Sequence, residues 1–257
     1  MTALWRIGSV PYLNAKPLLW GLDRDPGVRL ILKPPAELVP LMERGRLHAA
    51  LLPSIEAIRL GLVHVPGLAI ASPGRTGSVL LHLKKPLKQV RTVALDRNSR
   101  TTNALTRILL ERRYGLRPRY VKHDPDGSRD FRRDPKVDAA VTIGDASFRD
   151  WGLPALDLGA AWKDMTGVPF VFALWALPRR NASLENRLKT AAREGRRRLK
   201  EIVAAEHEKA GLTRAECVRY LTEHITYDLD PAELAGLKLF ERHARDLGLL
   251  DSPAARR

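Results

Sequence analysis

Short apolar segments that end at a proline, each followed by a helical pattern, recur in the first part of the chain. Residues 4–10, 28–32 and 48–52 are three such segments, and Pro11 and Pro53 stand directly after two of them. Proline has no amide hydrogen to give to a sheet ladder, so a strand is expected to stop there. Strands that alternate with helices are typical of a mostly parallel sheet with covered faces, and the sequence therefore predicts an α/β fold.

The alternation is interrupted once and then resumes. Residues 84–88 are polar and contain a proline, as expected of a crossover between two lobes. Strand and helix patterns continue from there to residue 175, and from residue 181 the pattern is helical. We therefore expect a two-lobed clam-shell with mixed sheets and a helical C-terminus, in which lobe I is formed by residues 1–84 and 176–257 and lobe II by residues 85–175.

The charge balance favours small anionic ligands. The 257 residues carry 44 basic and 29 acidic side chains, a net charge of +15, and such an excess raises the local concentration of anions. The basic residues are densest at 193–200, on a predicted helix. A nucleic-acid-binding segment is expected to contain interleaved aromatic side chains or a recognisable nucleic-acid-binding motif, and neither is present. We therefore interpret this segment as a solvated helix face.

The cellular location is predicted from what the sequence lacks. Its longest apolar runs, such as residues 168–177, are too short to span a bilayer as a helix. The N-terminus has no basic segment followed by an apolar one, so a secretory signal is not expected. The single cysteine, Cys217, can form no intrachain disulfide. These features together predict a cytoplasmic protein without membrane insertion.

The turn after the first predicted strand is the first candidate for a ligand site. Tyr12 and Asn14 lie on it, and Pro17 suits the first turn of the helix that follows. In open α/β sheets, ligands bind in the crevice at the carboxyl ends of the strands, which would turn Asn14 towards a cleft. The local pattern alone favours the alternative, that Asn14 caps the helix.

Three further loops carry polar groups that suit a cleft. One precedes the predicted strand that starts at Ser78. A second, at residues 98–102, places hydroxyl groups and free backbone amides at a helix start, which either binds an anion or is capped by one of its own hydroxyls. In the third, Gly144 permits close backbone approach, and Asp145 either contacts a ligand or caps the next turn.

Signatures of cofactor chemistry are missing from the sequence. It contains no Gly-x-Gly-x-x-Gly, no Walker loop and no Gly-x-Ser-x-Gly elbow. The seven histidines include no close pair at metal-ligand spacing. Chemistry that needs neither a cofactor nor a metal ion is therefore expected.

Several separated motifs occur together in a recognisable order. They are the turn at Tyr12-Leu13-Asn14 and residues 53–56, 78–81, 95–96 followed by 99–102, 143–146, and 157–162 followed by 166–175. In this order they resemble the chorismate dehydratases of the futalosine route to menaquinone. The 1,4-dihydroxy-6-naphthoate synthases of the same route have a Ser-Pro-Cys-Pro-Asn-Asp pattern at the first turn. This chain has Ser9-Val10-Pro11-Tyr12-Leu13-Asn14 there, which favours the dehydratases.

The resemblance implies a fold like that of type 2 periplasmic binding proteins, in a cytoplasmic enzyme. It implies that chorismate, a small dianion, loses water and becomes 3-[(1-carboxyvinyl)oxy]benzoate. Asn14 and Ser78 match family positions that line the site, and they are the predicted catalytic residues. The predicted substrate-binding residues are Tyr12, Ser54, Asn98, Ser99, Thr101, Thr102, Gly144 and Asp145.

One departure from the family pattern lies at the helix start that the resemblance marks as anion-binding. Thr102 and Asn103 stand where the pattern more often has serine and an apolar residue. Two other classes of protein with a clam-shell fold stay open from the sequence: a non-catalytic small-anion binding protein, which predicts an export signal or lipid anchor, and the effector domain of a transcription regulator, which predicts a helix-turn-helix before the first lobe. The sequence does not distinguish a monomer from a homodimer.

Overall fold

The chain folds around two sheets, as a computed structural model of residues 4–97, 99–123 and 130–250 describes it. Over these residues, each sheet has five strands and contains both parallel and antiparallel pairs. The predicted α/β class with mixed sheets is thereby confirmed. The helices in these ranges are all too short or too polar to cross a membrane.

The first sheet has the strand order β2-β1-β3-β10-β4. Strands β1, β2 and β3 are parallel, and β10 runs antiparallel between β3 and β4. The carboxyl ends of β1 and β3 therefore lie at one edge, together with the start of β10. The strands are β1 (Trp5–Ser9), β2 (Val28–Leu32), β3 (Ala49–Pro53), β4 (Val63–Ser72) and β10 (Phe170–Leu177).

The second sheet has the order β7-β6-β8-β5-β9. Strand β6 is parallel to β7 and β8, whereas β5 is antiparallel to β8 and β9. The start of β5 therefore lies beside the end of β8. The strands are β5 (Val79–Leu83), β6 (Thr92–Asp96), β7 (Arg119–His123), β8 (Ala139–Ile143) and β9 (Ala155–Asp157).

The chain crosses between the two sheets earlier than the sequence predicts. Strand β5 belongs to the second sheet and β10 to the first, so the crossovers lie between β4 and β5 and between β9 and β10. The predicted lobe boundaries at residues 84/85 and 175/176 stay a prediction, and each lies about one strand after the point at which the chain changes sheets. The polar segment at residues 84–88 links β5 to β6, which both belong to the second sheet. The first crossover is instead the loop between β4 and β5, which ends at Ser78.

Helices surround both sheets. A 3-10 helix at Leu13–Leu18 follows β1, another at Gly144–Phe148 follows β8, and a π-helix at Tyr220–His224 continues one of the C-terminal helices. The α-helices are α1 (Pro35–Glu43), α2 (Ser54–Arg59), α3 (Arg100–Ile108), α4 (Leu158–Thr166), α5 (Ala182–Arg197), α6 (Leu199–Glu206), α7 (Arg214–Arg219) and α8 (Pro231–Asp246).

The burial of strand β3 explains why both faces of the first sheet are covered by other parts of the protein. All five residues of β3 are buried, and strands that are apolar throughout require cover on both faces. On one side, α5 packs against the 3-10 helix that follows β1. A Cβ at Gly195 would overlap the carbonyl group of Pro17, so glycine allows this close approach. The contact fixes the turn that carries Asn14.

Helix α8 joins the two lobes. Its Phe240 ring lies 6.4 Å from the ring of Trp162 in α4 and 5.0 Å from that of Phe170 in β10. Trp162 belongs to the helix that packs on the second sheet, whereas Phe170 opens a strand of the first. The helical C-terminus therefore closes the molecule by packing across both lobes.

Candidate active site

The two lobes meet at the strand ends that carry the predicted site loops. The backbone amide of Leu13, after β1, donates a hydrogen bond to Asp145 Oδ1, after β8, at 3.3 Å. The amide of Ile55, after β3, donates to Thr101 Oγ1, after β6, at 3.1 Å. These contacts bring residues that are far apart in sequence to one interlobe cleft.

Asn14 is not a helix cap. The residue at the N-cap position of the 3-10 helix is Tyr12, and no side chain caps this helix. The Asn14 Oδ1 atom is buried and has no hydrogen-bond partner within the described residues. A buried amide oxygen without a donor is destabilising by about 1–3 kcal/mol. The helix-cap interpretation of this turn is therefore not met, and contact of Asn14 with a ligand stays a prediction.

Tyr12, Gly144 and Asp145 form a tight contact across the cleft. A Cβ on Gly144 would lie 3.5 Å from the Tyr12 ring carbon Cγ, so the ring packs directly against the glycine. Gly144 has a φ of +55°, which is left-handed backbone that a side chain disfavours. Asp145, by accepting the Leu13 amide, joins the lobes instead of capping the next turn.

Ser78 is held at the first crossover through its backbone. Its amide donates to Thr76 Oγ1 at 3.3 Å, and its carbonyl accepts from the Gly144 amide at 2.9 Å and from Ser147 Oγ at 3.1 Å. The preceding amides of Thr76 and Gly77 donate to the carboxylate of Asp157. The Ser78 side chain is therefore attached to a backbone with little freedom to move.

Tyr220 brings Asn14 and Ser78 together. Its hydroxyl donates to Ser78 Oγ at 2.9 Å, in a site where both side chains are buried. Burial raises the pKa of Tyr220 far above its ordinary value, the neighbouring Asp145 also raises it, and the Ser78 and Asn14 side chains lower it by less. Tyr220 therefore stays protonated, and its hydroxyl lies beside both predicted catalytic residues.

The sequence does not single out Tyr220. Its pattern marks this tyrosine only as one member of a helical stripe that also holds Cys217 and Leu221. The available signal is chemical: a phenol hydroxyl on a buried stripe needs a hydrogen-bond partner. Nothing in the local pattern identifies Ser78, which is 142 residues away, as that partner.

A buried polar chain continues behind Ser78. Ser147 Oγ lies 2.8 Å from Thr142 Oγ1, which in turn lies 3.0 Å from His82 Nε2. Burial lowers the pKa of His82 to about 4, so its ring is neutral near neutral pH. This series of hydrogen-bonded side chains supports the Ser78 backbone with groups that carry no charge.

The helix start at α3 is capped from within. The Thr102 amide donates to Ser99 Oγ at 3.2 Å, and Ser99 Oγ donates to Thr102 Oγ1 at 2.9 Å. Thr101 Oγ1 accepts from Ile55 as described, and Ser54 Oγ donates to the carbonyl of Val171. These hydroxyls fix the loops of the cleft, and their predicted contacts with substrate stay predictions. Asn98, which is also one of the predicted substrate-binding residues, lies outside the described residues.

A cavity of about 420 Å³ opens beside this cluster. Tyr12 and Asp145 line it, as do the basic side chains of Arg149 and Lys209, whereas Asn14 and Ser78 lie outside its lining. Cavities of roughly 300–1,000 Å³ are typical of small-molecule sites. Its remaining lining residues are Pro11, Asp96, Ile143, Ala146, Glu208, Ala210 and Gly211.

Comparison with known proteins settles the family. The model of a family described as menaquinone biosynthesis matches residues 5–246. The chain belongs to this family. A chorismate dehydratase of Thermus thermophilus is 32% identical over 273 residues, a match that covers 96% of each protein. One of Campylobacter jejuni is 24% identical, over 94% of this chain and 98% of that protein.

Comparison with solved structures supports the predicted fold. A crystal structure of a protein from Archaeoglobus fulgidus has a TM-score of 0.78 at 18% identity, covering 95% of this chain and 97% of that one. The periplasmic aliphatic sulphonate binding protein SsuA from Escherichia coli has a TM-score of 0.66 at 18% identity, covering 96% and 87%. The predicted fold, like that of periplasmic binding proteins, is thereby confirmed for this family member.

Proposed function

We propose that this protein is a chorismate dehydratase, which removes water from chorismate to give 3-[(1-carboxyvinyl)oxy]benzoate. The observation that carries the proposal is the cluster of Asn14, Ser78 and Tyr220 in the interlobe cleft. It combines a buried amide oxygen that has no partner within the described residues with a serine hydroxyl of fixed position. The identity of 32% with a chorismate dehydratase over nearly the whole chain supports it.

The proposed reaction is an elimination that makes the ring aromatic. A base takes the proton from ring carbon 3, and the electron pair of that bond spreads into the ring and its carboxylate. The bond from carbon 4 to its hydroxyl oxygen then breaks, and its electron pair leaves on the oxygen. The removed proton and the lost hydroxide together make one water molecule. Aromatisation of the ring supplies the driving force.

Asn14 and Ser78 have positioning and electrostatic roles in this proposal. Donors that are held in place before the reaction stabilise charge that develops in the transition state, because they need no reorganisation. Ser78 is attached to such a fixed backbone, and the free Oδ1 of Asn14 accepts a hydrogen bond from a substrate hydroxyl. Both residues thus hold the reacting carbons in one orientation.

The base in this proposal is the substrate's own enolpyruvyl carboxylate. Tyr220 stays protonated because burial raises its pKa, and the Asp145 carboxylate accepts the Leu13 amide. His82 lies behind Thr142 and Ser147 rather than beside Ser78 Oγ. Tyr220 and His82 are therefore poorly matched or poorly placed for proton removal, and a weak base is enough where the product is aromatic.

The charge of the protein suits a dianionic substrate. Arg149 and Lys209 line the cavity of the cleft beside the acidic Asp96, Asp145 and Glu208, so the charge that attracts a dianion is the net charge of the whole chain, +15. A positive field of this kind concentrates anions near a cleft. The same proposal includes a cytoplasmic enzyme, as the resemblance implies, that acts without a cofactor as a monomer or a homodimer.

One assay tests the proposed function. Purified protein is incubated with chorismate, and the product is followed by ultraviolet absorbance and by mass. We expect an aromatic product that has lost one water molecule. Unchanged chorismate that remains bound to the protein would instead favour an anion-binding protein, the function that the sulphonate-binding SsuA performs with this fold.

A further inference from the structure

We propose that Tyr220 is a positioning residue that turns the hydroxyl hydrogen of Ser78 towards the hydroxyl group that leaves the substrate. This role rests on the proposed function. It gives Tyr220, a residue outside the predicted site, a definite part in the reaction: it acts through Ser78 and does not itself contact the substrate.

Counting hydrogen-bond donors leads to this role. A tyrosine hydroxyl and a serine hydroxyl each have one hydrogen. Tyr220 donates its hydrogen to Ser78 Oγ at 2.9 Å, so the hydrogen of Ser78 must point elsewhere. The Ser78 carbonyl already accepts from the Gly144 amide and from Ser147 Oγ. Among the described residues, Ser78 Oγ accepts from Tyr220 and donates to no other group, so its hydrogen is left for an acceptor in the cleft.

The surroundings of Tyr220 hold it in this arrangement. The residue is 3% exposed, and its ring makes an edge contact with Phe148 at 5.0 Å between centroids. It begins the π-helix Tyr220–His224, a geometry that is frequent at functional sites. The same π-helix places the His224 ring against Gly77, where a Cβ would lie 2.9 Å from His224 Nδ1. This segment is therefore packed directly on the crossover that carries Ser78.

The contribution to the reaction is a single directed hydrogen bond. As the bond from carbon 4 to oxygen breaks, its electron pair moves to the oxygen, and the Ser78 hydroxyl donates to that oxygen. The proton that completes the water is the one removed from carbon 3. Neither Ser78 nor Tyr220 loses a proton, so both return to their starting state when the water leaves. Without the Tyr220 hydroxyl, the Ser78 hydrogen is free to rotate away.

The Tyr220→Phe substitution tests this role, because it removes the hydroxyl and keeps the ring that packs on Phe148. We expect kcat to fall by roughly 10-fold to 100-fold, with KM changed by less than about threefold, since donors of this kind act in the transition state. Tyr227→Phe is the matched control. Tyr227 is also buried, and its hydroxyl has no hydrogen-bond partner in the described part of the chain, so this variant should keep wild-type kcat.

A double-mutant cycle with Ser78→Ala asks whether Tyr220 acts through Ser78. If it does, Tyr220→Phe lowers kcat no further in the Ser78→Ala background. Losses that multiply in the double variant, or a Tyr220→Phe enzyme with wild-type kcat, overturn the role while the proposed function stands. Wild-type protein that leaves chorismate unchanged overturns the proposed function, and this role with it.

A second variant covers the case in which Tyr220→Phe does not fold. Replacement of Tyr220 by a difluorotyrosine keeps the hydroxyl and the ring but lets the phenol ionise at lower pH. An ionised phenol has no hydrogen to donate to Ser78. We therefore expect kcat of this variant to fall at an alkaline pH at which the wild type is still active. A pH profile identical to that of the wild type overturns the role.

Discussion

At the scale of single residues, Asn14 connects stability with function. Its buried Oδ1 has no donor among the described residues, and such an atom lowers the stability of a protein unless a ligand or water supplies the missing hydrogen bond. Buried polar atoms of this kind are rare in folded proteins, and functional sites are where they are tolerated. The residue is therefore more informative about ligand binding than the hydroxyls that already have partners.

Asn14→Ala is expected to separate these two effects. Turnover of chorismate should fall at least roughly tenfold, because the substrate loses an acceptor that orients it. The free energy of unfolding should stay within about 1 kcal/mol of the wild type or rise, because an unsatisfied atom has been removed. Steady-state kinetics and urea denaturation measure the two quantities. Near-wild-type turnover would contradict the role given to Asn14.

His82 predicts how stability depends on pH. Its folded-state pKa is lowered to about 4 from an ordinary 6.5 by burial, so the unfolded chain binds a proton at a higher pH than the folded protein does. Protonation therefore favours unfolding as pH falls from 6.5 towards 4, by at most about 3 kcal/mol for this group. Above pH 6.5, His82 is neutral in both the folded and the unfolded protein, so it no longer changes the free energy of unfolding.

The His82→Gln variant isolates this contribution, since glutamine keeps a nitrogen that can donate to Thr142. We expect the wild type to lose more stability than the variant between pH 7 and pH 4.5. Urea denaturation at several pH values gives both curves. Because burial lowers the pKa of His48, His64 and His243 as well, the difference between the two proteins is the quantity to compare. Parallel curves would contradict the assignment.

At the scale of secondary-structure elements, one carboxylate organises the first crossover. Asp157 accepts hydrogen bonds from Thr76 and Gly77 before β5, and it also caps α4 by accepting from Gly159 and Ala160 at 3.0 Å each. A charged acceptor at a helix N-terminus is additionally favoured by the helix dipole. The position of Ser78 thus depends on the same carboxylate that caps α4.

Asp157→Asn is expected to weaken both functions of this carboxylate. The variant removes a charge and one acceptor oxygen, so the free energy of unfolding should fall by about 1–3 kcal/mol. Because the Ser78 loop loses part of its support, kcat should fall by roughly tenfold or more. Thermal unfolding and kinetics measure these changes.

Asp164→Asn is the matched control for Asp157→Asn. Asp164 lies on the same helix with its carboxylate 63% exposed, and it pairs with Arg113 at 3.2 Å. Exposed ion pairs contribute roughly 0–1 kcal/mol, so this variant should behave like the wild type. Equal losses in the two variants would show that the effect of Asp157→Asn is not specific to the crossover.

The local sequence pattern predicts where strands end better than it predicts which strands pair with each other. Proline stops such as Pro11 and Pro53 mark real strand ends, because a missing amide hydrogen acts at its own position. Sheet membership depends on pairs such as Leu80 with Thr142, which the local pattern does not contain. For this reason the local pattern does not locate the points at which the chain changes sheets, between β4 and β5 and between β9 and β10. Tyr220 was missed for the same reason, since its partner Ser78 is fixed only by the three-dimensional fold.

At the scale of the whole molecule, a chain of net charge +15 encloses a cleft that is already joined across the lobes. The Arg100 guanidinium lies 2.7 Å from the carboxylate of Glu56, and the two residues lie in the first turns of helices that follow strands of different sheets. With the Leu13–Asp145 hydrogen bond, this pair holds the lobes together. The net charge of +15 acts on the substrate from outside the cleft and over longer distances.

Salt should therefore weaken capture of a dianionic substrate. The Debye length falls from roughly 10 Å at 0.1 M salt to roughly 3 Å at 1 M, so KM for chorismate should rise several-fold between these concentrations while kcat changes little. Lys209→Gln, at the lining of the cavity, should show a shallower rise. A KM that is independent of salt would contradict the role of the positive charge.

The position of β10 also determines when the protein can fold during synthesis. Strand β10 lies between β3 and β4, so the first sheet must wait for residues 170–177 to leave the ribosome. The second sheet is complete once residue 157 has emerged. The lobe that is begun first is therefore finished last, and its unpaired strand edges are exposed to aggregation meanwhile. Asn14 is made long before Tyr220, yet the cluster of Asn14 with Ser78 does not exist until Tyr220 has been made.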